Sequence, residues 1–301
     1  MADWLKDRVA VVTGGGRGIG AAIAEMYARE GAAVLVNDLG GSGDGVGSAT
    51  APADEVSRRI NEAGGTALPD YTDVADHEAA AAMVERAVSE FGRLDVLVNV
   101  AGILRDKMIF NLEERDWDAV IAVHLKGHYN AIKPAARYWR ARRDENAQNR
   151  IINFTSVSGL HGSAGQPNYA AAKMGIVGLT YSCANALKRY GVTTNAISPG
   201  AASRLIASIP DERKNDSAIK VPGPENIAPI ATYLASERSG WLNGRVVGAR
   251  GSLVELYNIP EPIRVVSSAG FWQMDTLAEL VETHFRAPAK LPLIPPDFAT
   301  D

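Results

Sequence analysis

The sequence has little of what disulfide-bonded, thiolate-metal or nucleic-acid-binding proteins need. Of its 301 residues only one is a cysteine, Cys183, which excludes a disulfide within the chain and a metal site built from several thiolates. Basic residues number 31 against 35 acidic ones, so the net charge is -4 and no basic surface for nucleic acid is expected. A single cysteine suits a reducing compartment, and we expect a cytoplasmic protein without metal or nucleic acid.

Long apolar runs are also missing. The longest uncharged stretch, residues 151–172, is interrupted by Asn, Ser, Gly, Gln and Pro, which is unlike a membrane span. Near the start of the chain, the charged residues Asp3, Lys6, Asp7 and Arg8 stand where a secretion signal would have its apolar segment. We therefore expect neither membrane insertion nor export.

Short β-branched runs alternate with longer helical patterns along most of the chain. The runs predicted as buried strands are 8–13, 33–38, 94–99, 150–155, 192–198 and 244–249, with a weaker one at 66–70. The helical patterns cover about 18–30, 52–63, 76–91, 113–142, 167–190 and 225–237. One helix per strand is typical of βαβ units, so we predict an α/β fold: a Rossmann-type doubly wound parallel sheet of about seven strands in a single domain, residues 1–258.

The last part of the chain, residues 259–301, has a different texture. It contains only one good helical pattern, near 273–286, among the prolines Pro260, Pro262, Pro288, Pro292, Pro295 and Pro296. Its large apolar side chains, including Phe271 and Trp272, need burial. We expect this C-terminal extension to pack on the domain or on a neighbouring subunit, the alternative being a loosely ordered tail.

A glycine-rich turn, TGGGRGIG, directly follows the first predicted strand and opens the first helix. Glycines let the backbone approach a pyrophosphate, and the free N–H groups of the helix N-terminus attract its charge. An ordinary tight turn has the same composition, but the position between strand and helix favours a dinucleotide site. The candidate cofactor-binding residues here are Thr13, Gly14, Gly16, Arg17, Gly18, Ile19 and Gly20.

Two nearby residues indicate opposite cofactors. Asp38 ends the second strand, 18 positions after Gly20, where a carboxylate would accept the ribose hydroxyls of NAD, although a turn or capping role is the alternative. Arg17 has the charge to pair with the extra phosphate of NADP. We favour NAD over NADP, because a carboxylate repels that phosphate whereas Arg17 is free to point to solvent. Asp73 and Val74 would face the adenine, with a helix N-cap as the alternative for Asp73.

The chemistry is predicted after the fifth strand. Tyr169 and Lys173 are four residues apart near the start of a helix and therefore share one face. An ammonium there favours the phenolate and brings the tyrosine pKa from about 10 toward working pH, making Tyr169 a general acid or base. Ser156, at the end of the strand, would hydrogen-bond the alcohol or carbonyl oxygen. We predict Ser156, Tyr169 and Lys173 as the catalytic residues.

Over about residues 6–250 the chain resembles the short-chain dehydrogenase/reductase family, through TGGGRGIG, the segment 99–102, the Ser-Tyr-Lys set and the segment 198–200. The resemblance implies that Tyr169 and Lys173 also hold the cofactor. It adds as cofactor contacts Asn99, Ala101, Gly102, Pro199, Gly200 and Ser203. The chain departs from the family pattern at Val100, where a second Asn is usual, and at Arg204, where a Thr is usual.

Four segments narrow the resemblance to one branch. Residues 36–47, 101–108, 116–129 and 165–179 are similar to the (3R)-hydroxyacyl-CoA dehydrogenase units of peroxisomal multifunctional β-oxidation enzymes and their bacterial relatives. This implies oxidation of a 3-hydroxyacyl-CoA, fatty or sterol-derived, to the 3-oxo product, by a homodimer or homotetramer. His124 stands where most of the family has a catalytic Asn, either leaving its backbone carbonyl to a proton relay or serving as a satisfied core histidine.

Two other functions stay open at this point. Arg17 is the argument for an NADPH-dependent reductase of ketones, 3-oxoacyl groups or hydroxysteroids. A nucleotide-bound scaffold without turnover is the second, but it gains nothing from a lysine-activated phenol. Residues 204–224 are expected to form a lid over the substrate or a mobile surface loop, and residues 40–47 are open to the second interpretation as well.

Overall fold

The computed structural model describes residues 3–200 and 223–290. The described residues up to Tyr257 form one compact unit, and those from Asn258 form a second. The second unit contains one α-helix and a 3-10 turn. That residues 259–301 pack on the domain or on a neighbouring subunit stays a prediction.

One sheet runs through the larger unit. Its strands are β1 Val9–Thr13, β2 Ala33–Asn37, β3 Thr66–Asp70, β4 Val96–Asn99, β5 Asn149–Phe154, β6 Val192–Gly200, β7 Val246–Arg250 and β8 Leu253–Leu256. Their order in the sheet is β3-β2-β1-β4-β5-β6-β7-β8, and β1 to β7 are all parallel. The predicted Rossmann-type α/β fold is confirmed.

The described part of the sheet contains one strand more than the seven predicted. β8 pairs antiparallel with β7 after a tight turn at Gly251, whose φ of 55° lies in the left-handed region that glycine tolerates. Three of its four residues are exposed, so β8 is held by backbone pairing instead of burial. An edge strand of this kind leaves no buried apolar run in the sequence.

Helices cover both faces of the sheet. They are α1 Gly18–Arg29, α2 Ala51–Glu62, α3 His77–Phe91, α4 Glu114–Ile121, α5 Gly127–Arg142, α6 Val157–His161, α7 Pro167–Leu187, α8 Ala228–Ala235 and, in the second unit, α9 Met274–Phe285. The helix predicted over 113–142 is divided by a π turn at Ala122–Lys126, and the short α6 was not predicted. In the ranges 3–200 and 223–290, no helix is both long and apolar enough to span a membrane.

Successive residues of the central strand β1 serve two cores. Val12 packs in a cluster with Ile23 of α1, while Val11 packs on the other face in a cluster with Trp139 of α5. Burial on both faces explains why β1 reads as a nearly continuous apolar run. Because the chain leaves β1 toward β2 and β3 and then crosses to β4, the carboxyl ends of β1 and β4 form the switch point of the sheet, where such folds bind ligands.

Candidate active site

Two glycines of the turn between β1 and α1 have no room for a side chain. A Cβ on Gly14 would lie 2.8 Å from the Ala101 Cα, and one on Gly20 would lie 2.1 Å from the Gly14 carbonyl oxygen. Arg17, the N-cap of α1, makes no side-chain hydrogen bond to the first turn of the helix. The N–H groups of that turn therefore stay available to an anion.

The carboxylate of Asp38 lies at the carboxyl end of β2 and is held by two backbone groups. Its Oδ2 accepts a hydrogen bond from the Gly16 N–H at 3.0 Å, and its Oδ1 accepts one from the Gly40 N–H at 2.8 Å. Asp73 accepts from the Ala75 N–H, while Asp76 is the N-cap of α3. The N-cap alternative for Asp73 is therefore wrong.

Contrary to the expectation from the sequence, the Arg17 side chain is not free to point to solvent. Its guanidinium donates to the carbonyl oxygens of Gly41 at 3.0 Å and Gly40 at 3.4 Å, in the β2–α2 loop, residues 38–50. The other side of this loop is held by the segment after β4, since the Leu104 N–H donates to Gly43 and Arg105 Nε donates to the Asp44 carbonyl, both at 2.9 Å. The β2–α2 loop is thus held on both sides by hydrogen bonds.

A cavity of about 400 Å³ joins the glycine turn to the predicted catalytic residues. The predicted site residues that line it are Gly14, Arg17, Gly18, Ile19, Gly20, Asp38, Asp73, Val74, Ala101, Gly102, Ser156, Tyr169, Lys173 and Pro199. The structure also describes four predicted residues that do not line it: Thr13, Gly16, Asn99 and Gly200. Ser203 and residues 204–222 of the predicted lid lie outside the described residues.

Two of the residues outside the cavity wall hold the strands that form it. Thr13 Oγ1 accepts hydrogen bonds from the N–H groups of Val100 at 3.1 Å and Ala101 at 3.3 Å. Asn99 donates from Nδ2 to Asn153 Oδ1 at 3.0 Å, which links β4 to β5. Thr13 therefore fixes the backbone after β4, and Asn99 fixes β4 against β5.

The predicted catalytic side chains come together at one end of the cavity. Ser156 follows the end of β5 and is the N-cap of α6, where its Oγ accepts a hydrogen bond from the Ser158 N–H at 3.2 Å. Tyr169 and Lys173 are one turn apart on α7, with Lys173 Nζ 5.4 Å from the centre of the Tyr169 ring. Lys173 is only 3% exposed, and its ammonium donates to the Phe154 carbonyl oxygen at 2.7 Å.

The chain matches a known protein family. The family model described as short chain dehydrogenase matches residues 8–209. The chain is a member of the short-chain dehydrogenase family. It is 38% identical over 288 residues to hydroxyacyl-CoA dehydrogenase ChsB1 of Mycobacterium tuberculosis, covering 93% of this chain and 89% of that one. This relative confirms the resemblance to hydroxyacyl-CoA dehydrogenases that the sequence showed.

Two further comparisons agree with this family assignment. It is 43% identical over 233 residues to the peroxisomal hydratase-dehydrogenase-epimerase of Saccharomyces cerevisiae, which covers 77% of this chain but only 25% of the yeast protein. A crystal structure of a short chain dehydrogenase from Mycobacterium avium superposes with a TM-score of 0.83 at 39% identity, covering 94% of this chain and 96% of that one. The protein is therefore an oxidoreductase that acts on CH–OH donors, and its family implies a nicotinamide cofactor.

Burial dominates the electrostatics of the dehydrogenase site. It raises the pKa of Tyr169 to about 12, with the Ser156 hydrogen bond acting in the opposite direction, and it lowers the pKa of Lys173 to about 7. The expectation that Lys173 brings the tyrosine pKa toward working pH is therefore wrong for the chain's own groups. The reason is that a buried site penalises both charged forms, the phenolate and the ammonium.

His124 lies in the π turn and packs behind Tyr169, the predicted catalytic tyrosine. Its Nε2 is 2.8 Å from the Ile103 carbonyl oxygen, and its ring meets the Tyr169 ring edge-on at 5.1 Å. Burial, together with the charge of Lys173, holds the His124 pKa well below its usual range, so the ring is neutral. Nδ1 has no partner among the described residues, so His124 is a core histidine satisfied on one side only.

The cavity also has lining residues that are not among the predicted catalytic and cofactor-binding residues. They are Asn37, Leu39, Gly41, Ser42, Gly45, Thr72, Val100, Ile103, Leu104, Val123, His124, Phe154, Thr155, Val157, Ser158 and Gln166. Most of them lie in or next to the segments 36–47, 101–108 and 165–179 that carried the branch resemblance. That similarity was the available signal, because loops carry no periodic pattern.

Proposed function

We propose that this dehydrogenase oxidises the 3-hydroxyl group of a 3-hydroxyacyl-CoA with NAD, giving the 3-oxoacyl-CoA. The observation that carries the reaction type is the single cavity that bears Asp38 at one end and Tyr169 with Lys173 at the other. The substrate class is supported by the similarity to a hydroxyacyl-CoA dehydrogenase over 93% of the chain.

The residues present fit a dinucleotide. The glycine turn is a cradle that a Cβ at Gly14 or Gly20 would fill, and it lies at an uncapped helix N-terminus suited to a pyrophosphate. Asp38 would receive the ribose hydroxyls, while Lys173 and Tyr169 would hold the second ribose. When bound, the nicotinamide supplies the acceptor for the substrate's hydride.

The contacts of Arg17 support NAD over NADP. Its guanidinium is engaged by the carbonyls of Gly40 and Gly41, and would have to leave both to meet a 2′-phosphate. Asp38, oriented by the N–H groups of Gly16 and Gly40, would repel that phosphate. Asp38 and Arg17, which indicated opposite cofactors in the sequence, thus both favour NAD.

The proton step belongs to the chain's own residues. Ser156 would donate to the substrate oxygen and orient it toward Tyr169, whose Oη would take the hydroxyl proton. Lys173, with a pKa of about 7, is close to half-charged at neutral pH, and its charge beside the ring favours the phenolate that must form. Because burial raises the Tyr169 pKa to about 12, proton transfer near neutral pH requires that bound cofactor and substrate lower it.

A spectrophotometric screen at 340 nm tests this function. NAD and NADP would each be offered with 3-hydroxyacyl-CoAs, free hydroxysteroids and a sterol-derived CoA thioester. We expect the highest kcat/KM with NAD and a CoA thioester. Turnover restricted to NADP, or to free hydroxysteroids and ketones, would refute the proposal in favour of the NADPH-dependent reductase.

A further inference from the structure

A chain of three polar side chains lies beside the catalytic residues. Ser158 Oγ donates to Gln166 Oε1 at 2.8 Å, and Gln166 Nε2 donates to Asp106 Oδ2 at 2.7 Å. Ser158 and Gln166 both line the cavity. None of the three has a part in the proton step proposed above, so this chain of hydrogen bonds needs its own explanation.

The partners determine which way the Gln166 amide faces. An ionised carboxylate only accepts hydrogen bonds, so Asp106 must face the NH₂ group of Gln166, and the Ser158 hydroxyl then donates to the amide oxygen. The amide uses one of its two N–H groups in this arrangement. The second N–H has no partner among the described residues, and the negative charge of Asp106 polarises the amide that carries it.

The location of this donor relates it to the catalytic residues. Ser156 is the N-cap of α6 and Gln166 is the N-cap of α7, and the hydrogen bond from Ser158 links the first turn of α6 to Gln166. Gln166 precedes Tyr169 by three residues, so the two side chains start from neighbouring positions at the same helix end. A substrate whose hydroxyl meets Ser156 and Tyr169 therefore has a hydrogen-bond donor close to the atoms next along its chain.

We infer that Gln166 binds the thioester carbonyl of the substrate, and that Ser158 and Asp106 are positioning residues that hold its amide for this purpose. The inference rests on the proposed function and deepens it. In a 3-hydroxyacyl thioester the carbonyl carbon is two carbons from the carbon that bears the hydroxyl, and the carbonyl oxygen needs a donor when it leaves water.

The test compares two substrates that differ only at this carbonyl. One is a 3-hydroxyacyl-CoA, and the other is the S-(3-hydroxyalkyl)-CoA thioether of the same chain length, in which the carbonyl is replaced by CH₂. We expect the intact enzyme to prefer the thioester by about tenfold in kcat/KM, which corresponds to about 1.4 kcal/mol. Gln166→Leu should bring this ratio close to one while leaving the KM for NAD unchanged.

Three variants separate substrate recognition from structural damage. Gln166→Asn, which keeps an amide, should restore part of the preference, and Ser158→Ala should reduce it less than Gln166→Leu does. Ser163→Ala, at an exposed position in the turn before α7, is the matched control and should keep the full ratio. A preference that survives in Gln166→Leu would overturn the inference.

Binding measured by titration calorimetry covers the case of slow turnover. If the intact protein binds thioester and thioether equally, the inference about Gln166 fails while the proposed function stands. If it binds neither CoA derivative, the proposed substrate class itself fails. A tighter thioester complex whose advantage disappears in Gln166→Leu supports both.

Discussion

The buried ammonium of Lys173 makes the stability of this protein depend on pH in a way that one substitution removes. Burial lowers the Lys173 pKa to about 7, against 10.5 for a solvated lysine. Between these two values the unfolded chain keeps a proton that the folded chain has released, so the free energy of unfolding rises with pH. One proton changes this free energy by about 1.4 kcal/mol per pH unit.

The size of the effect follows from the two pKa values. Half of the Lys173 proton is still bound in the folded protein at pH 7, and almost none is bound at pH 9. The contribution of Lys173 to the free energy of unfolding therefore increases by about 2 kcal/mol from pH 7 to pH 9. Lys173→Met keeps an unbranched side chain of similar length but cannot titrate, so it should lack this increase.

Urea unfolding at pH 7, 8 and 9, at constant ionic strength, measures the difference directly. Relative to the intact protein, Lys173→Met should lose about 2 kcal/mol over this range, and its turnover and NAD affinity should also fall. Lys126→Met, at an exposed lysine in the π turn, is the control and should follow the intact protein. Parallel curves for the intact protein and Lys173→Met would show that Lys173 titrates as a solvated lysine, and the reasoning from burial would be wrong.

Three further predictions concern Tyr169, Asp38 and Gly102. Tyr169→Phe should lower kcat by roughly 10²–10⁴-fold, because it removes the proton acceptor, while NAD binding measured by titration stays intact; near-normal kcat would contradict the mechanism. Asp38→Ala should erode a preference for NAD over NADP of at least about tenfold in kcat/KM, and equal use of both cofactors by the intact enzyme would refute the role of Asp38. Gly102→Ala should cost about 1–3 kcal/mol in thermal unfolding and reduce kcat, because its Cβ would lie 2.2 Å from His124 Cε1, whereas Gly178→Ala, with no atom within 4 Å, should cost nothing; equal effects of the two would exclude the steric explanation.

Local chemistry explains why much of the fold was predictable. Strands buried on both faces are mostly apolar, so most of β1 to β7 appear as short β-branched runs, and β3, which is only partly buried, is the weakest of them. The glycine turn was equally visible, because only glycine tolerates the contacts at Gly14 and Gly20. The one strand that was missed, β8, depends on pairing with β7 and not on its own burial pattern.

The sequence by itself determined the fold class, the family and the residues that meet in the cavity, since each of these depends on residue type and spacing along the chain. Only the tertiary structure decided where Arg17 donates its hydrogen bonds, that Asp73 is not the N-cap of α3, and that Ser158, Gln166 and Asp106 form a chain beside Tyr169. It also decided the pKa shifts of Tyr169 and Lys173, and reversed the expectation for the tyrosine. These properties depend on which groups distant in sequence come into contact and on how much water they exclude. Neither can be read from the local sequence pattern.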